Sequence, residues 1–428
     1  MSFTRPRLRS LTGRFVSPMC LFVFMGQTPA QESTSGWQAD PDVVATAAQR
    51  RGQFNYKEAK VPDFELPDPL RIIAPGATGY VSDAETWRTR QRPALLDLFR
   101  RHVYGVRPDT AYEIGFAEVG RIDDAFGIGA TGRRIRATID VADRSHSFDF
   151  VLFTPRADRE VPILVLINNR YFTPLEKAVE ETDPFWPVET ILRSGFATAA
   201  FHTSDVDPDR RDGYDEGIRS LLDASDSDPE TRWKSLSAWG WAASRVLDFA
   251  SRQPGIDADA TAVIGHSRGG KAALWAAAED ERFRIAYSND SGCGGAALSR
   301  RALGETVAQI NRSFPHWFCD RFKKYSDRVD DLPVDQHQLI ALLAPRSVYV
   351  ASADEDLWAD PKGEYASVSG AGPVFELFGI GHITDPDMPP LDQPRHVGAT
   401  GYHIRSGGHN LTEQDWGYFL EFADSVFR

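Results

Sequence analysis

The sequence predicts an α/β protein with a mostly parallel central sheet and helices on both of its faces. Three observations indicate this class. Alternating apolar and polar residues come first, continuous apolar runs separated by helical patterns follow, and a glycine-flanked serine stands between one such run and a helix. The chain has 428 residues, of which 42% are hydrophobic, and this is enough for one large domain or two smaller ones.

Strands of two kinds are predicted in order along the chain. Alternating patterns predict antiparallel strands at residues 112–119, 134–141 and 148–153. Continuous apolar runs then predict buried parallel strands at residues 162–167, 196–201, 262–264, 285–288 and 348–351. A further strand is expected at 375–378. Helical spacing predicts helices at residues 84–104, 231–252 and 413–427, the last with Thr412 as N-cap.

The first thirty residues have the pattern of a secretory signal peptide. Four arginines precede a short apolar stretch at 15–25, and a small residue, Ala30, marks the expected cut. We therefore expect residues 1–30 to be removed, 31–60 to form a flexible lead-in and 61–428 to form a single domain of a secreted or periplasmic protein. No later segment approaches the length of a membrane span, so we expect no membrane association after signal removal.

Charge and cysteine content restrict the partners. The net charge is −13 and no basic run occurs beyond the first residues, so nucleic acid is not an expected partner. No cluster of Cys and His has metal-ligand spacing, so we expect neither a metal nor a cofactor. Cys293 and Cys319 suggest either one disulfide, as exported proteins often contain, or two buried thiols. A monomer is expected.

The segment Gly265-His266-Ser267-Arg268-Gly269 carries the chemistry. An apolar strand precedes it and a helical pattern follows from Lys271, which is the context of a nucleophile elbow. Glycines two before and two after the serine suit a turn too tight for side chains there. Ser267 would be exposed at a helix N-terminus, where developing negative charge is stabilised. Antiparallel strands first, then strand–helix alternation around this elbow, is the order of an α/β-hydrolase.

A serine nucleophile needs a histidine base and an acid that orients it. In this fold the chain order is serine, acid, histidine. His409, in a glycine-rich loop before the last helix, is the candidate base, and His382 is its competitor. The candidate acids are Asp290, which closes the strand after the elbow helix, and Asp356 or its neighbour Glu355, which follow the next parallel strand.

Five short motifs resemble carbohydrate esterase family 15, the glucuronoyl esterases. They lie at residues 265–271, 290–295, 314–318, 358–361 and 407–409. The resemblance extends from about residue 66 to the last helix and is greatest to the bacterial members. It implies hydrolysis of esters of (4-O-methyl-)glucuronic acid, as in glucuronoxylan side chains linked to lignin alcohols, without a cofactor.

The resemblance also implies roles for single residues. By position, Ser267 resembles the nucleophile and His409 the base, while Arg268 would help to hold the oxyanion. The residues that would line the sugar pocket are Lys271, Glu305 and Trp358.

The chain departs from the family pattern in two ways. His266 and Asn410 stand where fungal members have two cysteines, so that disulfide is absent. Asp290 stands where a glutamate is typical, and some bacterial members take the acid from the later loop, which favours Asp356 or Glu355. The rival hypotheses are an acetyl-xylan or other carbohydrate esterase of the same fold, and a sugar-binding protein without turnover.

Overall fold

A ten-stranded mixed sheet runs through the part of the chain that the computed structural model describes, residues 36–74, 76–224 and 227–428. The predicted signal peptide lies outside these residues. The strands are β1 Glu113–Ala125, β2 Ala130–Val141, β3 Arg144–Thr154, β4 Val161–Asn168, β5 Ala197–His202, β6 Ile256–His266, β7 Ile285–Asn289, β8 Ser347–Ala353, β9 Arg395–Val397 and β10 Thr400–Arg405. Their order in the sheet is β1-β2-β3-β5-β4-β6-β7-β8-β10-β9.

The sheet changes from antiparallel to parallel as predicted. Strands β1, β2, β3 and β5 pair antiparallel, while β5, β4, β6, β7, β8 and β10 run parallel to their neighbours. In this register Gly265 lies beside both Ile167 and Ser288, so the carboxyl ends of β4, β6 and β7 meet at one edge of the sheet. The predicted α/β-hydrolase fold is confirmed.

Helices cover both faces of the sheet. They are α1 Pro41–Arg50, α2 Ala84–Thr86, α3 Arg92–Phe99, α4 Leu175–Glu180, α5 Val188–Arg193, α6 Thr203–Val206, α7 Ile218–Leu222, α8 Ser235–Ala250, α9 Arg268–Glu279, α10 Val307–Ser313, α11 Gln336–Ala341, α12 Pro361–Gly370, α13 Gly372–Leu377 and α14 Glu413–Phe427. Alternate residues of β4 belong to two different apolar clusters: Ile163 and Val165 to one, Leu164 and Leu166 to the other. Side chains alternate between the faces of a strand, so a strand buried on both faces is a continuous apolar run.

Two predictions near the C-terminus had different outcomes. The last helix begins at Glu413 with a capping box between Thr412 and Asp415, as the N-cap prediction requires. The strand predicted at 375–378 is wrong, because these residues lie in and directly after α13, whose first turn contains a proline. The strand that precedes His409 is β10, whose mixed polar and apolar residues gave no strand pattern.

The segment before residue 61 is more ordered than predicted. Residues 36–60 were expected to be irregular, but they contain α1, which begins at Pro41 with Asp40 as its N-cap. The Asp40 side chain accepts a hydrogen bond of 2.7 Å from Asp42 N, and Pro41 occupies the first turn, so the local sequence contains both helix-start signals. Residues Gly36–Arg428 form one compact unit.

The disulfide alternative is also wrong. Cys293 and Cys319 are both free and buried. Cys293 lies in the loop after β7, whereas Cys319 Sγ contacts Arg101 O at 3.8 Å. Among the described residues, no helix is long and apolar enough to cross a membrane.

Candidate active site

Strand β6 passes into α9 with only Ser267 between them. Its backbone has φ 56° and ψ −125°, a conformation that non-glycine residues adopt only under strain. A Cβ atom at Gly265 would lie 2.0 Å from Gly269 O, and one at Gly269 would lie 2.8 Å from Ile167 O. The two glycines are therefore required by close backbone packing, as predicted for an elbow.

His409 and Asp356 meet at the carboxyl edge of the sheet. Asp356 follows β8 and is 7% exposed, while His409 follows β10 and is 42% exposed. His409 Nδ1 lies 2.6 Å from Asp356 Oδ2. The ring of His266, the residue before Ser267, has its centroid 4.4 Å from that of His409. The structure thus brings the candidate base and acid beside the elbow.

The two alternative candidates, His382 for the base and Glu355 for the acid, do not take part in the His409–Asp356 hydrogen bond. His382 contacts Ile380 O at 3.3 Å and Glu376 at 3.5 Å, in the segment after α13. Glu355 is exposed and lines the same pocket as His409, but its neighbour Asp356 makes the hydrogen bond.

Asp290 is the second carboxyl group near His409. It is fully buried, accepts a hydrogen bond of 3.3 Å from Asn410 N and lies 3.5 Å from Arg405 Nη2. Burial first, and then the nearby Asp356 carboxylate, raise the pKa of Asp290 well above its usual range. Its surroundings therefore favour the neutral form of Asp290 more than those of an exposed carboxyl group.

Among the described residues, Asp290, Asp356 and His409 are also close enough to bind a metal ion together, since their donor atoms lie within 4.8 Å of one another. Burial disfavours the charged form of Asp290, which a metal ligand would need. The trio is therefore a weaker donor set for a divalent cation than two charged carboxylates would be, and it suits a base with its acid better than a metal.

Arg405 organises the loop that carries His409. At the end of β10 its guanidinium donates to the carbonyl oxygens of Ser406, Gly408 and Asn410 at 3.0, 3.0 and 2.6 Å. The same side chain pairs with Asp415 at the start of α14 at 2.7 Å. These hydrogen bonds hold the backbone of the loop around the Arg405 guanidinium.

The Arg268 side chain is held in a polar and aromatic setting. It pairs with Asp209 and its guanidinium carbon lies 5.0 Å from the centroid of the Trp317 ring. Asp209 also accepts hydrogen bonds from His316 at 2.9 Å and Trp317 at 2.7 Å. Burial acts to raise the pKa of Asp209, but these hydrogen bonds and the Arg268 charge lower it to about 2. Arg268 Nε is buried and has no partner among the described residues.

Lys271 and Glu305 form a buried, loosely spaced pair. Lys271 Nζ donates to Ser291 O and, at 2.6 Å, to Cys293 O, and it lies 4.0 Å from Glu305 Oε2. Burial lowers the pKa of Lys271 and raises that of Glu305, while each partner's charge opposes the shift of the other. At 4.0 Å the two side chains do not hydrogen-bond directly.

Trp358 stands at the wall of the pocket that contains His409. Phe54 contacts the indole edge-on, with centroids 4.8 Å apart, and Arg51 covers one face. The pocket has a volume of about 450 Å³ and lies between α1 and the loops that carry Asp356 and His409. This volume falls in the range of small-molecule sites.

Three residues of this site were not identified from the sequence: Asp209, Arg405 and Arg51. Arg405 had a local signal, since it ends the strand just before the His409 loop. Asp209 and Arg51 had none, because each reaches its partner across a long separation in the chain.

Known proteins match most of this chain. Residues 138–379 match a family model described as "Glucuronyl esterase, fungi". A carbohydrate esterase from an unknown prokaryotic organism is 37% identical over 420 residues, which cover 91% of this chain and 94% of that protein. This chain belongs to the glucuronoyl esterase family. The resemblance drawn from the five motifs is thereby confirmed.

Other family members differ in their sequence identity to this chain and in the fraction of their length that matches it. The structure of the glucuronoyl esterase from Solibacter usitatus is 36% identical, with a TM-score of 0.80 over 86% of this chain and 100% of that one. The 4-O-methyl-glucuronoyl methylesterase of Schizophyllum commune is 30% identical over 332 residues, 74% of each chain. Several other fungal family members of that name are matched over only 33–48% of their length.

Proposed function

We propose that this protein hydrolyses esters of 4-O-methyl-glucuronic acid through an acyl-enzyme on Ser267. The observation that carries the proposal is the 2.6 Å hydrogen bond between His409 Nδ1 and Asp356 beside a serine in the elbow conformation. The substrate class follows from membership of the family and from the name of the Schizophyllum commune enzyme.

The His409–Asp356 hydrogen bond selects the tautomer that catalysis requires. A carboxylate at Nδ1 keeps the proton there, so Nε2 is free to accept a proton from Ser267 Oγ. Ser267 Oγ then bonds to the ester carbonyl carbon, the tetrahedral intermediate expels the alcohol, and His409 Nε2 gives the proton to it. Water repeats the sequence on the acyl-enzyme and releases the uronic acid.

Arg268 would stabilise the negative charge of the intermediate. As the first residue of α9, it has a backbone N–H without an intrahelical acceptor. Its unpartnered Nε is a second donor in the same residue. The ester group of the substrate carries no net charge before the reaction. The attraction between the Arg268 cation and the carbonyl oxygen is therefore strongest when the oxyanion forms.

Lys271 and Glu305 would bind the sugar between them. One ammonium hydrogen of Lys271 remains after its two bonds to carbonyl oxygens, and Glu305 lies 4.0 Å away. A sugar hydroxyl between them would accept from Lys271 and donate to Glu305, which satisfies both buried groups. Trp358 would supply the apolar surface of the pocket.

We also propose that the protein is exported as a monomer, with residues 1–30 as its signal peptide, and acts on lignin–glucuronoxylan esters outside the cytoplasm. The arginine-rich start and short apolar stretch support this proposal. N-terminal sequencing of the protein recovered from the periplasm or the medium tests it, and a recovered chain that still begins at Met1 would contradict it.

The experiment that tests the function compares benzyl glucuronate with acetylated xylan and p-nitrophenyl acetate. We expect the highest kcat/KM with the glucuronate ester and a loss of kcat of about 10⁶-fold in Ser267→Ala, with unchanged thermal unfolding. A preference for acetyl esters would support an acetyl-xylan esterase instead. A serine-reactive probe that fails to label Ser267 would support a binding protein.

A further inference from the structure

The pocket beside His409 has two walls that come from distant parts of the sequence. One wall consists of the loops after β8 and β10, which carry Asp356 and His409. The other wall is α1, whose residues Val43, Thr46 and Ala47 face the same 450 Å³ space. A helix that precedes the hydrolase sheet by more than sixty residues therefore closes one side of the candidate active site.

Arg51, directly after α1, points its charge into this pocket. Its guanidinium carbon lies 3.9 Å from the centroid of the Trp358 ring. Arg51 lines the pocket together with Tyr56, Trp358 and His409. Its charge acts to lower the pKa of Glu305 and of Tyr56, in both cases against the larger effect of burial. Arg51 therefore stands on the side of the pocket that Trp358 forms.

The guanidinium of Arg51 has unused donors. Within the described residues, its side chain makes no ion pair and no hydrogen bond, and its guanidinium lies over the Trp358 ring while the residue remains exposed to solvent. A guanidinium offers five N–H donors in a fixed fork, and stacking leaves those at its edge free to bind oxygen atoms. An arginine without a carboxylate partner, held over an indole in a pocket of this size, is arranged to bind a ligand.

We propose that Arg51 and the pocket face of α1 bind the saccharide to which the glucuronoyl ring is attached, and so make the enzyme prefer esters carried on an oligosaccharide. This inference depends on the proposed function. In such an ester the reacting carboxyl group lies at Ser267, and the ring extends away from it through its glycosidic carbon to the next sugar. Arg51 lies over Trp358 in the pocket that also contains His409, and it would donate to hydroxyl and ring oxygens of that saccharide.

The test varies the saccharide and the alcohol separately. The substrates are benzyl glucuronate, methyl glucuronate and the benzyl ester of glucuronic acid carried on xylotriose. For the wild type we expect a higher kcat/KM with the oligosaccharide ester than with benzyl glucuronate. In Arg51→Met we expect this ratio to fall about tenfold, mainly through KM, because charge-assisted hydrogen bonds to the sugar are lost. Arg51→Lys should recover part of the ratio, since it keeps the charge without the planar fork.

Two matched controls separate this role from general effects. Arg88 stacks on Phe378 in the same way, at 4.6 Å, outside the pocket, so Arg88→Met should keep the wild-type ratio. Ala47→Trp would fill the pocket, whereas Ala45→Trp adds the same bulk on the other side of α1. We expect the first to reduce the oligosaccharide preference and the second to leave it unchanged.

Each other outcome contradicts the proposal. If the wild type cleaves both glucuronate esters and Arg51→Met keeps the wild-type ratio, this inference is wrong and the proposed function stands. If Arg51→Met changes only the benzyl-to-methyl ratio, Arg51 contacts the alcohol and not the saccharide. If the wild type cleaves no glucuronate ester, the proposed function fails and this inference fails with it. Thermal unfolding of each variant identifies any that fails to fold, and Arg51→Lys then replaces Arg51→Met in the comparison.

Discussion

Two carboxyl groups lie near His409, and their surroundings give them different tasks. Asp356 makes the 2.6 Å hydrogen bond to the imidazole. Asp290 instead accepts from Asn410 N and lies beside Arg405, and burial raises its pKa. Because Asp356 makes the hydrogen bond to His409 and burial disfavours the charged form of Asp290, Asp356 is the better candidate for the acid of the triad.

Substitution of these two residues should give unequal effects. Asp356→Asn is expected to lower kcat by about 10⁴-fold, because the amide permits the wrong imidazole tautomer. Asp290→Asn keeps the shape of a side chain that does not hydrogen-bond to His409 and should lower kcat by less than about tenfold. The measurement is kcat on benzyl glucuronate for both variants, and a larger loss in Asp290→Asn would assign the acid to that residue.

At the scale of single elements, the turn between β6 and α9 stores strain that the neighbouring strand holds in place. Ser267 at φ 56° lies in a region that costs about 1–3 kcal/mol for a non-glycine residue. Its N–H donates to Asn289 O at 2.8 Å, at the end of β7. The parallel pairing of β6 with β7 therefore fixes Ser267, the proposed nucleophile.

A methyl group at Gly265 should break this turn. The added Cβ would lie 2.0 Å from Gly269 O, so we expect Gly265→Ala to lose several degrees of Tm and at least 10²-fold in kcat. Gly417→Ala is the control, because this glycine in α14 has no atom near the added Cβ and alanine favours the helix by up to about 1 kcal/mol. Equal Tm values for both variants would show that the elbow tolerates a side chain.

The elements that the sequence predicted well are those with local signals. The elbow needs only nearby glycines, and the last helix needs only its capping residues Thr412 and Asp415. Strand β10 and the pairing of Arg268 with Asp209 could not be predicted, since they depend on contacts between segments far apart in the chain. The choice between Asp290 and Asp356 likewise needed the burial of each carboxyl group, which no spacing reveals.

At the scale of the whole molecule, burial raises the pKa of several carboxyl groups in the folded state, among them Asp290, Glu305 and Glu364. Burial is the largest cause that raises the pKa of Glu364 to about 8, even though it accepts hydrogen bonds from Ser291 N and Gly292 N at 2.8 Å and from Ser352 Oγ at 2.6 Å. The unfolded chain would release this proton near pH 4.5. Between these two values the folded state binds one more proton than the unfolded state, so stability falls as the pH rises.

We therefore expect Glu364 to contribute a slope of up to about −1.4 kcal/mol per pH unit to the free energy of unfolding between pH 5 and pH 8, while histidines whose pKa is lowered by burial, such as His266 and His337, act in the opposite direction below about pH 6.5. Glu364→Gln imitates the protonated form and should flatten this dependence. Urea unfolding at pH 5, 6.5 and 8 measures it. A Glu364→Gln variant with the same pH dependence as the wild type would contradict the raised pKa of Glu364.

The two buried thiols described above provide a way to time the opening of the folded chain. Burial raises the pKa of Cys319 to about 11 and that of Cys293 further, so neither is a thiolate at neutral pH in the folded protein. An alkylating reagent would reach each one only while its surroundings are open. Cys293 O accepts the hydrogen bond from Lys271, whereas Cys319 N donates to Val103 O, away from that ammonium group. The two alkylation rates can be read by mass spectrometry from one sample. They would therefore distinguish local opening of the proposed sugar pocket, near Cys293, from local opening of the segments around Cys319.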